Sequence, residues 1–363
     1  MKLNIKLGDD GKYHTRVFAK PNEDGRRPSK RIDGLTKKEV QEKAAAWKEE
    51  MEKNRDIYSL TLKDASDKYI NYLTSKRNPL SPSTIRSYDG ISRNHFKHLH
   101  DVPIIDITED MIQDEIYFLE KTHSGKTIEN IVNFYVPCIH HFRRGFKPDL
   151  DLPEKEEAKI NVPDVEYLRN KIPRIQNRRL LLPVLLAAYC GLRRSEIAAL
   201  NLHEDVDYDV EVSARNPQGI STARKVGLIY VRQAYVRGKD EYVFKGTKSK
   251  AGTRTVFMPG WLNDIVKEFR DDESYTPYPP HTISNVFSEW SKKEKIGCSF
   301  HGLRHFYASV GESLNIPDLY MMDMMGHSTP HMLRKYKEIM NEKRVEVNET
   351  MLMFLEGNSP FAP

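Results

Sequence analysis

The sequence predicts a multidomain α+β protein: a small three-stranded sheet with a helix, then a bundle of four or five helices, then a mostly helical domain carrying a small β-sheet. Three observations lead there. Alternating stretches punctuated by Gly, Asn and Asp occupy residues 1–35 and a second zone from about 227 to 258. Capped amphipathic runs fill most of the remainder. Stretches without helical periodicity, near 55–60 and over Lys147–Pro163, divide the chain. At 363 residues it is too long for one small core. The boundaries fall at 1–56, 57–150, a linker at 151–163, and 164–363.

Composition narrows the class. No apolar run approaches the length that spans a bilayer, which argues against a membrane role. The start, MKLNIKLGDDGKY, has charges where a signal peptide needs an apolar centre. Cys138, Cys190 and Cys298 are odd in number and form no C-x-x-C pair, as expected of reduced thiols in a cytoplasmic protein. The net charge of +5 is compatible with nucleic acid without pointing to it. Its distribution says more, because residues 1–40 hold eleven Lys/Arg against six Asp/Glu.

In the first module, LNIKLG, KYHTRVFAK and the stretch after Gly25 read as strands. Alternation in the second puts His14, Arg16 and Phe18 on one face and Tyr13, Thr15 and Val17 on the other. With Lys20, Arg26 and Arg27 nearby, the first face is basic and partly aromatic. It suits a nucleic-acid groove, and equally a solvated surface. Thr36 as N-cap, with Glu39 three residues on, opens a helix through KKEVQEKAAAWKEEMEKN. Helices are then expected at 61–76, 81–100, 108–121 and 124–145, separated by Asn78-Pro79, Val102-Pro103 and His123–Gly125. Thr84 and Arg86 at one helix start, and the basic ends Lys76-Arg77 and Arg143-Arg144, are candidate phosphate contacts. An ordinary capped surface helix explains the first of these equally well.

In the third region a buried apolar helix stops at Gly191, and a second helix places Ser195-Glu196 just behind Arg193. Residues 204–226 read as a long surface loop or irregular strand. GLIYVRQAYV, EYVF and TRTVFM read as strands, joined by Arg237–Asp240 and GTKSKAG. Helices return at Trp261–Arg270, at Thr282–Lys295, from His301 onward, and after Tyr336, where Val345, Met351, Leu352 and Phe354 share a helix.

The chemistry gathers in HGLRHFYASVGESLNIPDLYMMDMMGHSTPHMLRKY. His301, Arg304 and His305 lie three and four apart, on one helical face. A zinc pair would need Glu after His301, where Gly302 stands, so no metal is expected. Two cations on one face favour a bound anion such as a phosphate over a packed core. Taken alone, His305 reads as a core histidine, and Met321, Met322, Met324 and Met325 as core filler. Gly326 ends the methionine-rich helix, His327 sits at the turn, and Tyr336 lies nine residues beyond it.

GLRRSEIAAL, TKSKAGTRTV, HGLRH and GHSTPHMLRKY, in this order and at these separations, resemble the motifs of the tyrosine recombinase (phage integrase) family. The likeness covers nearly the whole chain and extends to the three-domain layout of conjugative-transposon and temperate-phage integrases. It implies catalytic roles for Arg193, Lys248, His301, Arg304, His327 and Tyr336. Arg194 is the alternative to Arg193, and Lys245 and Lys250 are alternatives to Lys248. Thr247 stands where the family often has proline. The resemblance further implies that Tyr336 attacks a DNA phosphate while Arg193 and Arg304 grip its oxygens and His327 donates to it. His301 takes the phenol proton, and Lys248 supplies the proton to the departing 5′ oxygen. No cofactor is implied. The implied partners are double-stranded DNA, with arm-type sites for residues 1–56 and core sites for the helical domain. A homo-tetramer on that DNA is also implied, with the last helix exchanged between neighbours, along with DNA-bending or excision accessory proteins. A type IB topoisomerase, or a DNA-binding regulator with a silent catalytic fold, are the competing readings.

Overall fold

The computed structural model describes residues 3–18, 29–53, 60–156, 161–215, 221–246, 253–326 and 341–361. The chain divides into two compact units, Met1–Glu157 and Ala158–Pro363.

The first unit holds two separate hydrophobic cores. Strands β1 (Lys6–Leu7), β2 (Tyr13–Phe18) and β3 (Ser29–Gly34) form an antiparallel sheet in sequence order. Helix α1 (Lys37–Lys53) packs against it. As alternation requires, Val17 and Ile32 are buried with Val40, Ala44 and Trp47, whereas Arg16 and Phe18 face solvent. Thr36 Oγ1 accepts from Glu39 N–H, and the Glu39 carboxylate accepts from Leu35 N–H at 2.8 Å. The expected capping box is therefore present, with its return bond one residue earlier than in the standard form.

Four helices follow: α2 (Leu62–Ser75), α3 (Pro82–Asn94), α4 (Glu109–Glu120) and α5 (Gly125–Phe142). Thr61, Thr108 and Ser124 each accept a backbone N–H at the start of α2, α4 and α5, so side chains satisfy donors that a helix cannot. The helix expected at 81–100 is shorter. It ends at Asn94, and a 3-10 turn at Lys97–Leu99 follows Phe96, whose φ is +54°. Burial explains the break: Phe96 is 1% exposed and stacks on Tyr135 at 4.4 Å, while Tyr135 Oη donates to the His95 carbonyl at 2.7 Å. Tertiary packing overrides helical continuation here.

The second unit begins with α6 (Val165–Lys171), the apolar α7 (Arg178–Cys190) and the single turn α8 (Arg194–Ile197). The region 204–226, expected as loop or irregular strand, is the second of these, contributing to a long antiparallel pair, β4 (Val206–Arg215) with β5 (Ser221–Val231). Its alternation is hidden because the register slips between Asp207 and Val210, where Asp209 takes a φ of +57°. GLIYVRQAYV is not one strand either. It divides at Arg232, so that β5 pairs with β4 and β8 (Arg254–Met258), and β6 (Gln233–Arg237) forms a separate hairpin with β7 (Tyr242–Gly246). Helices α9 (Gly260–Asp271), α10 (Pro280–Lys293), α11 (Phe300–Ser313), α12 (Asp318–Met325) and α13 (Asn341–Gly357) complete it. α13 packs on its own chain's sheet, burying Val347, Met351 and Leu355 in the core formed by α7 and α11. Cys138, Cys190 and Cys298 are free and buried. Among the described residues, no helix is long and apolar enough to cross a membrane.

Candidate active site

α7 is hydrophobic on all sides because it runs through the core, and it stops where Gly191 adopts φ +62°. After this reversal Leu192 returns to the core and α8 opens with Arg193 as its N-cap. On α11, Ser299 caps the start by accepting from Gly302 N–H, and Arg304 follows in the second turn. The two segments meet at a cleft of about 560 Å³ lined by Arg193, Arg194, Ser284, Ser288, His301 and Arg304, among others.

Arg304 is 1% exposed, yet it carries a guanidinium. It donates through Nη1 to the Gly191 carbonyl and through Nη2 to the Met325 carbonyl, and its buried Nε has no partner among the described residues. Burial, then the neighbouring Arg193, pull its pKa down to about 9, while Glu196 works the other way. A buried N–H without a partner is costly, and a hydrogen-bond acceptor reaching it would offset that cost.

Arg193 is half-buried and held at three points. Its Nη1 donates to Glu196 Oε1 at 2.7 Å, its Nη2 to the Gly326 carbonyl at 3.0 Å, and its backbone N–H to Glu196 Oε2 at 2.9 Å. Glu196 is 6% exposed and also receives Arg254, from Nη2 at 2.9 Å and from Nη1 at 3.2 Å. Burial would raise the Glu196 pKa, but Arg254 first and Arg193 second hold it below the ordinary value. One carboxylate thus serves two guanidiniums, and with Arg304 the region carries three arginines around a single anion.

His301 stands on the cleft wall. Partial burial, then His305, Arg304 and Arg193, lower its pKa, which favours the neutral ring. Its ring contacts His305 edge-on at 4.8 Å, but His305 lines a different cleft, of about 740 Å³, with Met321, Met322 and Met325. The expected three-residue face therefore splits: His301 and Arg304 share the first cleft, and His305 does not. Met321, Met324 and Met325 are core as expected, while Met322 is only half-buried.

Lys248, His327 and Tyr336 lie outside the described residues, as do the alternative Lys250 and the basic residues Lys20, Arg26 and Arg27. Of the other candidate DNA contacts, Arg16, Arg77, Arg86 and Arg144 are exposed, and Lys76 and Thr84 are half-buried. Arg143 is already engaged, donating to the Ile107 carbonyl at 2.7 Å and stacking on Phe146 at 5.0 Å. Arg144 and Lys147 remain at a shallow cleft beside it.

Sequence reasoning missed Arg254. Its signal was phase: in RTVFM the arginine alternates with the buried Val256 and Met258, which places a cation on the core face of β8. Among the described residues, no group of three His, Cys, Asp or Glu side chains could hold a metal.

No family model matches the chain. An integrase of Saccharopolyspora erythraea is 22% identical to it, over 99% of this chain and 98% of its own length. The integrase of transposon Tn1549, solved with transposon right-end DNA, matches 80% of this chain and 99% of its own, with a TM-score of 0.56 at 16% identity. A lambda integrase dimer bound to a COC' core site matches 92% of this chain and 94% of its own, with a TM-score of 0.55 at 17% identity. A lambda integrase tetramer bound to a Holliday junction matches 93% and 97%, with a TM-score of 0.53. The chain therefore shares the mixed α+β, multidomain fold of the Tn1549 and lambda integrases, as the resemblance of its motifs led one to expect.

Proposed function

We propose that this chain is a site-specific DNA recombinase, an integrase that cuts and rejoins strands through a 3′-phosphotyrosyl link to integrate and excise a mobile element. The observation that carries the reading is the pair Arg193 and Arg304 on one cleft, with Arg193 and Arg254 both on the carboxylate of Glu196 and a buried Arg304 N–H that has no partner among the described residues. Such an excess of positive charge is stabilised by an anion, and a planar double donor suits phosphate.

In the reaction Tyr336 attacks the scissile phosphate. A free phenol, with pKa about 10, lies roughly three units from ionising at neutral pH, which is unfavourable by about 4 kcal/mol. His301, whose surroundings favour the neutral ring, accepts that proton. Arg193 and Arg304 stabilise the charge gathered on the non-bridging oxygens, and removing one such donor lowers the rate about a hundredfold. His327 adds a donor, and Lys248 protonates the departing 5′ oxygen. The ester's energy stays in the covalent link, so a 5′ hydroxyl of a second strand can reverse the step without ATP.

Two duplexes cut on both strands require four such sites, hence a homo-tetramer on DNA. Residues 1–56 are proposed to read separate arm-type sites, and 57–150 to clamp the core site. In the first module Arg16 lies directly opposite Arg31 across β2 and β3, a like-charge pair that an anionic partner relieves, although Asp33 offsets it in part. A topoisomerase that relaxes supercoils would have no use for such a module.

The test is selection from a randomised pool of nicked duplexes. Wild-type protein should trap a subset as SDS-resistant adducts, and sequencing their joints defines the site. A Tyr336→Phe protein that traps DNA equally well would overturn the assignment.

A further inference from the structure

Three successive carbonyls at the C-terminal end of α12 each accept a hydrogen bond from a different arginine. Met324 takes Arg254 Nε at 2.9 Å, Met325 takes Arg304 Nη2, and Gly326 takes Arg193 Nη2 at 3.0 Å. The last carbonyls of a helix have no partner within it and sit at the negative end of its dipole, so guanidiniums are their natural ligands. Two of the three arginines line the cleft. The third, Arg254, does not: its side chain is 3% exposed and lies on the core face of β8.

We propose that Arg254 is a positioning residue of the strand-cleavage site, setting the Arg193 guanidinium through Glu196 and the C-terminal end of α12 through the Met324 carbonyl. The inference rests on the recombinase reading. Arg254 grips both carboxylate oxygens of Glu196, and those same oxygens receive Arg193, one from the side chain and one from the backbone N–H. A carboxylate pinned by a fork cannot rotate, so Arg193 meets a fixed partner. Through Nε the same guanidinium holds the end of α12, immediately before residues 327–340. β8 itself begins just after the segment that carries Lys248. One buried side chain thus ties together the strand next to the proposed acid, the clamp arginine, and the helix leading to the nucleophile. Lysine cannot replace it, because a single ammonium does not reach two carboxylate oxygens and a carbonyl in a planar fork.

The experiment uses the full chain with a nicked suicide duplex recovered by the wild-type protein from the randomised pool. Arg254→Lys should retain DNA as wild type does, while its single-turnover rate of adduct formation at saturating DNA falls about a hundredfold, as expected when reacting groups are misplaced without loss of binding. A rate within about threefold of wild type in folded Arg254→Lys protein overturns the proposal. Should Arg254→Lys fail to fold, Arg254→Met is compared on the wild-type and Glu196→Gln backgrounds, the second of which leaves no buried unpaired carboxylate. Because Arg254 acts largely through Glu196, its removal lowers the rate less on the Glu196→Gln background, and equal losses on both overturn the coupling. Arg193→Ala is run in parallel. If it forms adduct at the wild-type rate, the recombinase reading itself fails, an outcome distinct from failure of the Arg254 role.

Discussion

Replacing Gly191 by alanine probes the joint on which the candidate site depends. The residue adopts φ +62° and ψ +21°, and a β-carbon placed there would lie 2.6 Å from Cδ1 and 3.0 Å from Cε1 of Tyr307. Two terms follow. The left-handed conformation destabilises a non-glycine residue by about 1–2 kcal/mol, and forcing a methyl into a packed core by about 1–3. Tyr307 is 2% exposed in the core between α7 and α11 and has little room to retreat. The expected loss is therefore about 2–5 kcal/mol, seen as a Tm lower by roughly 5–15 °C. Gly297→Ala separates the terms, since it has φ +74° but none of the described residues within 4 Å of the added carbon, and should show the backbone term alone. Urea titration followed by near-UV circular dichroism measures both. Adduct formation by Gly191→Ala should also fall, because the Gly191 carbonyl is one of the two that hold Arg304. Equal destabilisation by the two variants would refute the steric argument, and an unchanged cleavage rate in Gly191→Ala would refute the link to Arg304.

Other expectations follow from the same physics. Tyr336→Phe should bind the selected duplex with wild-type affinity and give no SDS-resistant band on a denaturing gel. Protein lacking residues 1–56 should still cleave a short core duplex, and loss of that cleavage would make the first module part of the catalytic scaffold. Tyr135→Phe removes a buried hydroxyl that donates to the His95 carbonyl, and should lower stability by about 1–2 kcal/mol in urea titration while the ring keeps its stack on Phe96. His95, His141 and His301 all titrate below the ordinary 6.5, burial being the first cause in each. Below that pH the unfolded chain therefore binds more protons than the folded one. Their stability contribution is complete above 6.5 and is lost as pH falls through the folded values. His14, held above 6.5 by its hydrogen bonds to Asp33 and Asp10, acts with the opposite sign, so in a His14→Gln protein urea midpoints measured from roughly pH 7 down to 5 should decline, and a flat profile there contradicts the assignment.

Local physics made much of the chain legible. Thr61, Thr108 and Ser124 announced three helix starts by residue type, and the alternation of KYHTRVF separated the buried Thr15 and Val17 from the exposed Arg16 and Phe18. Residues 206–226 were not legible, because a strand pair that slips register at Asp209 shows no clean period. Nor was the end of α3: nothing near Phe96 announces a break, which comes from its stack against Tyr135 some 40 positions away.

By itself the sequence named candidates for the site. Type and spacing put His301 and Arg304 on one helix, and the resemblance of GLRRSEIAAL to a family motif added Arg193. Only the tertiary structure decided how they are held. It set His301 and Arg304 on one cleft and His305 on another, buried Arg304 against the Gly191 and Met325 carbonyls, and put Glu196 between Arg193 and Arg254. The reason is physical. Spacing fixes which side chains share a helical face, but the partner of a buried charge comes from whatever element packs against that face, and Arg254 meets Glu196 from 58 residues away.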